Sequence, residues 1–284
     1  MGAFYIAILP VVFLLGYIYK KDLEKEPRGI LIRLFVFGAI STIPLCIIEL
    51  IYGMFFPTEN LPTFIGTFIT VFITVALVEE FGKWFVTYLC IYRKREFNHA
   101  YDGVVYAVFA SLGFAAVENV FYVLANGLST GIMRALLAVP GHAVDAVFMG
   151  YFFSKSKEAL VKKNNGKSLL HLILSIMVPS ITHAIYDGLI FHYTSTENDM
   201  LIVIFFVFVI ASYVIAFIII NKLSKVMVNF DGSPLIVNTP QRNINVNNTQ
   251  VINNPVTQVQ TSRCVNCGAP LIGNSCTNCG FKQG

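Results

Sequence analysis

Two adjacent glutamates, Glu79 and Glu80, stand inside a long apolar stretch, and Lys83 follows within one helical turn. Further ionisable groups recur in later apolar stretches: Glu118 beside Asn119, His142 with Asp145, and His183 with Asp187. Each such group costs several kcal/mol in hydrocarbon unless it faces another or a wet cavity. A convergent set of carboxylates and imidazoles suits the activation of water. One carboxylate acts as general base, while histidines or a bound divalent metal stabilise the developing oxyanion.

The local spacing says how these groups are presented. Glu79 and Lys83 share a helix face and can pair, whereas Glu80 points about 100° away and needs a different partner. Gly113, Ala115 and Ala116 allow another backbone to come close beside Glu118 and Asn119. Pro140 and Gly141 are read as opening a helix just before His142, and Pro179 precedes His183 in the same way. Asp145 and Asp187 then follow their histidines at helical spacing, each placed to accept one ring N–H and leave the other nitrogen for a metal or a proton transfer. Taken singly, every one of these residues has a plainer reading, as a structural hydrogen-bonding group or an interface anchor. His99, His171 and His192 fall in a loop or near helix ends and are set aside.

The elements that must carry these groups are membrane helices. The chain is 56% apolar and 13% charged, with a mean hydropathy of +0.68. It divides at turn residues and charge clusters into about seven apolar segments, near 2–19, 29–55, 62–92, 101–125, 130–153, 168–193 and 200–221. The fold class is therefore all-α, a polytopic bundle of about seven transmembrane helices. The first segment lacks a basic start and a small-residue cleavage site and is read as a retained helix. Lys20, Lys21, Lys25 and Arg28 follow it, Arg93, Lys94 and Arg95 follow the third, and Lys155, Lys157, Lys162, Lys163 and Lys167 follow the fifth, while the alternate connections carry no Lys or Arg. The positive-inside rule then puts the N-terminus outside and the C-terminus in the cytoplasm of a cell membrane. The net charge of +4 does not make nucleic acid a partner, because the positions of the charges follow the membrane.

Residues 1–225 form the membrane domain in this reading, 226–262 an Asn- and Gln-rich tether, and 263–284 a small zinc ribbon. Cys264 and Cys267 make one Cys-x-x-Cys turn and Cys276 and Cys279 the other. Four thiolates complete a tetrahedral structural zinc site, and a cytoplasmic location disfavours stable disulfides. With every position filled by sulfur, this zinc has no open site for catalysis. The ribbon's loop has no basic or aromatic cluster, so a cytoplasmic protein is its expected partner. Cys46 and Cys90 lie in apolar sequence and are read as packing residues.

The order Glu79-Glu80-x-x-Lys83, Gly113-Phe114-Ala115-x-x-Glu118-Asn119, Pro140-Gly141-His142 and His183-x-x-x-Asp187 resembles the PrsW family of intramembrane proteases. The segment from Tyr19 through Asp22, Glu24, Glu26 and Pro27 also resembles that family. The likeness covers about residues 1–200, leaving the tail outside it. It implies a relation to the CAAX prenyl endopeptidases and bacteriocin-processing membrane proteins, and peptide-bond hydrolysis in or near the membrane. It further implies that Glu79 and Glu80 are essential, and that Glu118, His142 and His183 are metal or water ligands, the metal being a divalent ion such as zinc. A membrane-bound anti-sigma factor, cut on its outer side during envelope stress in a bacterium, is the implied substrate. No His-Glu-x-x-His signature is present, so a glutamate-activated water without metal is also chemically open. The rival readings are a non-enzymatic scaffold whose ribbon recruits a partner, and a transporter relaying protons.

Overall fold

The computed structural model describes residues 2–56 and 61–235. The expected zinc ribbon, with Cys264, Cys267, Cys276 and Cys279, lies outside the described residues. The elements are α1 (Gly2–Lys21), α2 (Arg28–Phe55), α3 (Phe64–Val71), a π-helical turn (Phe72–Ala76), α4 (Leu77–Ile91), α5 (Asp102–Leu136), α6 (Ala138–Val161), α7 (Asn165–Thr196) and α8 (Asp199–Leu223). The class is all-helical. Among the described residues only isolated bridges, His99 with Asn229 and Val228 with Pro234, have extended pairing.

Among the described residues five stretches are long and apolar enough to cross a membrane: Arg28–Phe55, Phe64–Ile91, Asp102–Val161, Asn165–Thr196 and Asp199–Leu223. The most apolar window of Asp102–Val161 is 78% buried, against 17% in α2 and 22% in α8. The stretch containing α5 and α6 is thus the core, and the other helices coat it, turning residues such as Ile40, Ile47, Val207 and Phe217 outward. Close packing around α5 depends on residues without a side chain. A Cβ at Gly113 would collide with the Phe35 carbonyl oxygen of α2, and one at Gly103 would stand 2.5 Å from the Gly150 carbonyl oxygen of α6. The helix expected to approach the small residues before Glu118 is therefore α2.

The structure differs from the expected segmentation around residue 130. Helix α5 runs past the expected end at 125 and breaks at Gly127, where φ is 83° and ψ is −174°. That backbone region is open to glycine and strained for a residue with Cβ. A short helical piece comes next, and Leu137, at φ −120° and ψ −57°, separates it from α6. Pro140 consequently lies in the first turn of α6, where the missing N–H would have had no helical partner. The Pro-Gly pair marks a helix start, correcting the expectation of a break in mid-helix. The tail also departs from expectation: Phe230 N–H donates to the Asn98 carbonyl at 2.8 Å, and its ring meets Phe97 edge-on at 5.8 Å. The first residues of the presumed tether are folded against the α4–α5 connection.

At the same basic end, Asp22, Glu26 and Asp102 are buried together. Asp102 accepts N–H bonds from Asn98 at 3.1 Å and His99 at 2.7 Å, and Tyr106 donates its hydroxyl to Glu26. Burial, reinforced by the Asp102 charge, pushes the Glu26 carboxyl up to about 9. A carboxyl raised in the fold lends stability below its unfolded value, and that contribution is lost as pH climbs through the folded value. Thermal stability in detergent is expected to fall between about pH 5 and pH 9, and Glu26→Gln to flatten the fall. Equal slopes for the two proteins would contradict the assignment.

Candidate active site

The π-helical turn sets the phase of α4. The Leu77 N–H reaches back five residues to the Phe72 carbonyl, and such a bulge rotates the downstream helix relative to the upstream one. Beyond it Glu79, Glu80 and Lys83 all turn into the protein and are buried. Trp84 Nε1 donates to Ser175 Oγ at 2.8 Å, tying α4 to α7.

Lys83 Nζ is the hub. It donates to Glu79 Oε2 at 2.9 Å and to Glu80 Oε1 at 2.7 Å, and lies 3.0 Å from His142 Nδ1. It also sits 4.4 Å from the centre of the Phe114 ring. Glu80 shares Lys83, because the lysine side chain reaches both carboxylates, and it also has the different partner expected from its angle on the helix. Its Oε1 also meets His183 Nδ1 at 3.0 Å, while His183 Nε2 stands 3.3 Å from Asp187 Oδ2. Asp187 thus lies where it fixes the orientation of His183.

His142 is oriented differently. With Lys83 donating to Nδ1, its Nε2–H points at Glu118 Oε2, 2.9 Å away. Asp145 instead accepts the Thr182 hydroxyl at 2.5 Å. The expectation that Asp145 orients His142 is therefore corrected: α6 turns this carboxylate toward α7, and Glu118 of α5 takes the imidazole. Glu118 in turn pairs with Arg134 Nη2 at 2.7 Å, and Arg134 Nε donates to Asn119 Oδ1 at 3.2 Å. Tyr122 supports this guanidinium at 3.8 Å from its ring centre. Arg134 is absent from the residues singled out on sequence, although a lone arginine in an apolar run is itself a signal. It sits on the short piece beyond Gly127, which brings it back toward Glu118.

A cavity of about 530 Å³ opens beside this cluster. Glu79, Glu118, His142, Asp145, His183 and Asp187 reach its wall, as does Glu49 of α2, a second charged residue not singled out on sequence. Apolar walls come from residues such as Leu137, Tyr186, Ile190 and Phe205. Glu80 lies behind Glu79, fully buried, and its Oε2 has no hydrogen-bond partner among the described residues. One ligand atom from each of Glu79, Glu80, His142 and His183 lies within 4.8 Å of the others. Two carboxylates and two imidazoles form a donor set suited to zinc or a similar divalent ion, and the orphaned Glu80 oxygen fits such a site. The histidines excluded on sequence lie elsewhere: His99 bonds the Val226 carbonyl at 3.0 Å, His171 stacks near Phe152 at 6.4 Å, and His192 meets Thr67 at 3.2 Å.

Residues 26–213 match the family described as PrsW family intramembrane metalloprotease. A relative named Protease PrsW, from Geobacillus kaustophilus, is 40% identical over 184 residues, covering 64% of this chain and 77% of its own length. Those of Bacillus subtilis and Clostridioides difficile are 34% and 29% identical, covering 63% and 80% of this chain and 78% and 92% of their own lengths. No solved structure matches the chain. The cysteine pairs lie beyond the matched residues.

Removing the hub would strand two buried carboxylates. Lys83→Met is expected to cost about 3–5 kcal/mol of stability, read as a large drop in thermal unfolding temperature in detergent. An unchanged transition would show that Glu79 and Glu80 do not depend on the ammonium.

Proposed function

Because the chain belongs to the PrsW family of intramembrane metalloproteases, we propose that the cavity beside Glu79 and Glu80 is where a peptide segment of a membrane-associated protein is hydrolysed. The observation that carries this assignment is the meeting, within 4.8 Å, of ligand atoms from Glu79, Glu80, His142 and His183, on three different helices at a cavity wall.

Glu79, which reaches the cavity, is the general base that takes a proton from water and returns it to the leaving amine. Glu80, His142 and His183 are the residues that would hold a divalent metal, zinc by the chemistry of its donors, which when bound polarises a carbonyl and acidifies water. Asp187 keeps His183 facing Glu80, and Glu118, itself steadied by Arg134, keeps His142 in place. Lys83, bonded to both carboxylates and 3.0 Å from His142 Nδ1, balances their charge so that it is tolerated at this depth, and a metal held here would take the place of its ammonium among these atoms. The apolar walls exclude bulk water and accept the side chains of an unwound segment.

In this reading the chain crosses the membrane about seven times, with its N-terminus outside and C-terminus in the cytoplasm. The cavity is lined at one end by Tyr193, Thr194 and Ile202, near the α7–α8 junction and away from the basic connections, which supports a cut in the outer half of the bilayer. A single-pass anti-sigma-factor-like protein has the required form. The cysteine-rich tail carries a structural zinc on Cys264, Cys267, Cys276 and Cys279 and contacts a cytoplasmic protein.

With purified protein and a tagged single-pass substrate of that kind, Glu79→Gln and Glu80→Gln are each expected to lower cleavage by at least about 10²-fold at a temperature where each variant is still folded. Cleavage retained by both would overturn the assignment. A strong chelator is expected to abolish cleavage and added zinc to restore it. Cleavage indifferent to exhaustive chelation would sink the metal assignment and leave the glutamate-activated water.

A further inference from the structure

Helices α2 and α4 touch closely at one point and part on one side of it. A Cβ at Gly82 would collide with Leu45 Cδ1, so the Leu45 side chain of α2 rests directly on the bare backbone of α4 there. From that vertex toward the basic end a groove of about 420 Å³ opens between them. Phe37, Ile40 and Pro44 of α2 and Phe85, Val86 and Leu89 of α4 make its walls. Arg33 and Lys94 stand at its mouth, both exposed, and neither makes an ion pair or a side-chain hydrogen bond with another described residue.

We propose that this groove binds one anionic phospholipid, its acyl chain lying along the α2–α4 seam and its phosphate between Arg33 and Lys94. The dimensions fit. Arg33 lies about 18 Å along α2 from Leu45, and α4 runs about 13 Å from Gly82 to its end at Ile91, with Lys94 in the connection just beyond. One leaflet of a bilayer has a hydrocarbon depth of about 15 Å. A chain anchored at the cations thus ends where the helices close. The charges fit as well, since the two unpaired cations sit at the end that carries Lys20, Lys21, Arg93 and Arg95, where anionic headgroups are recognised by basic pockets between helices. The wall residues Phe85 and Val86 lie within one turn of Lys83, so the lipid braces the back of the helix that carries the paired glutamates. A free phosphate would satisfy the cations while leaving the apolar walls empty, which is why a lipid is the occupant.

Lipid retained by the purified full chain is read by native mass spectrometry after exchange into micelles doped with equal amounts of phosphatidylglycerol and phosphatidylcholine. One phosphatidylglycerol is expected to be held in preference to phosphatidylcholine, and inorganic phosphate in excess is expected not to displace it. Arg33→Gln with Lys94→Gln is expected to weaken its retention about thirtyfold, with unfolding in phosphatidylcholine micelles unchanged because neither side chain has a protein partner. Val86→Phe, which fills the groove and keeps both cations, is expected to expel the lipid. Equal retention of the two lipids, displacement by inorganic phosphate, or phosphatidylglycerol retained undiminished by either variant would overturn the proposal. None of these readings depends on proteolysis, so the lipid site and the hydrolytic site stand or fall separately.

Discussion

A carboxylate at membrane depth must be answered by a cation, a proton or water, and this requirement organises the protein. Lys83 answers Glu79 and Glu80 together, Arg134 answers Glu118, His142 bridges the two sets, and His183 joins Glu80 to Asp187. The bonded groups are spread over several helices, so the network also holds α4, α5, α6 and α7 in register. A lone ion pair of this kind adds little net stability once desolvation is counted, but breaking one is costly. The cluster therefore contributes more to uniqueness of packing than to its total energy.

The helices can meet this closely only because their contact points are stripped of side chains. Gly113 lets α5 rest on α2, and Gly103 with Gly150 lets α5 rest on α6. With lipid as apolar as the protein surface, close backbone packing and polar contacts take over the role that water exclusion plays in soluble proteins. The same packing brings side chains from several helices to the wall of one cavity.

Much of the centre was legible because charge in an apolar run is conspicuous. Glu79, Glu80, Lys83, Glu118, His142 and His183 stand out against their neighbours, and their order carries the family likeness. Helical spacing is a weaker guide to partners. Asp145 follows His142 closely enough to suggest a bond, yet Thr182 on another helix is nearer; spacing along one helix is silent about what the neighbouring helix offers. An angular reading of the helix gives Lys83 one partner, whereas its long stem spans the angle between two carboxylates. Arg134 and Glu49 escape a local pattern for a related reason. Their use depends on the turn at Gly127 and on the packing of α2, neither of which is written in the residues beside them.

The π-helical turn before Glu79 separates two rotational frames in what would otherwise be one rod. Upstream, Ile65 and Ile69 of α3 face outward and Thr67 and Val71 inward; downstream, Phe81, Phe85 and Leu89 face outward and the carboxylates and Lys83 inward, and the extra residue absorbs the change of phase between the two. Each side of the turn keeps its own helical wheel, so the lipid-facing row and the inward row can both continue along the rod. A single membrane rod thereby serves two solvents without compromise in either.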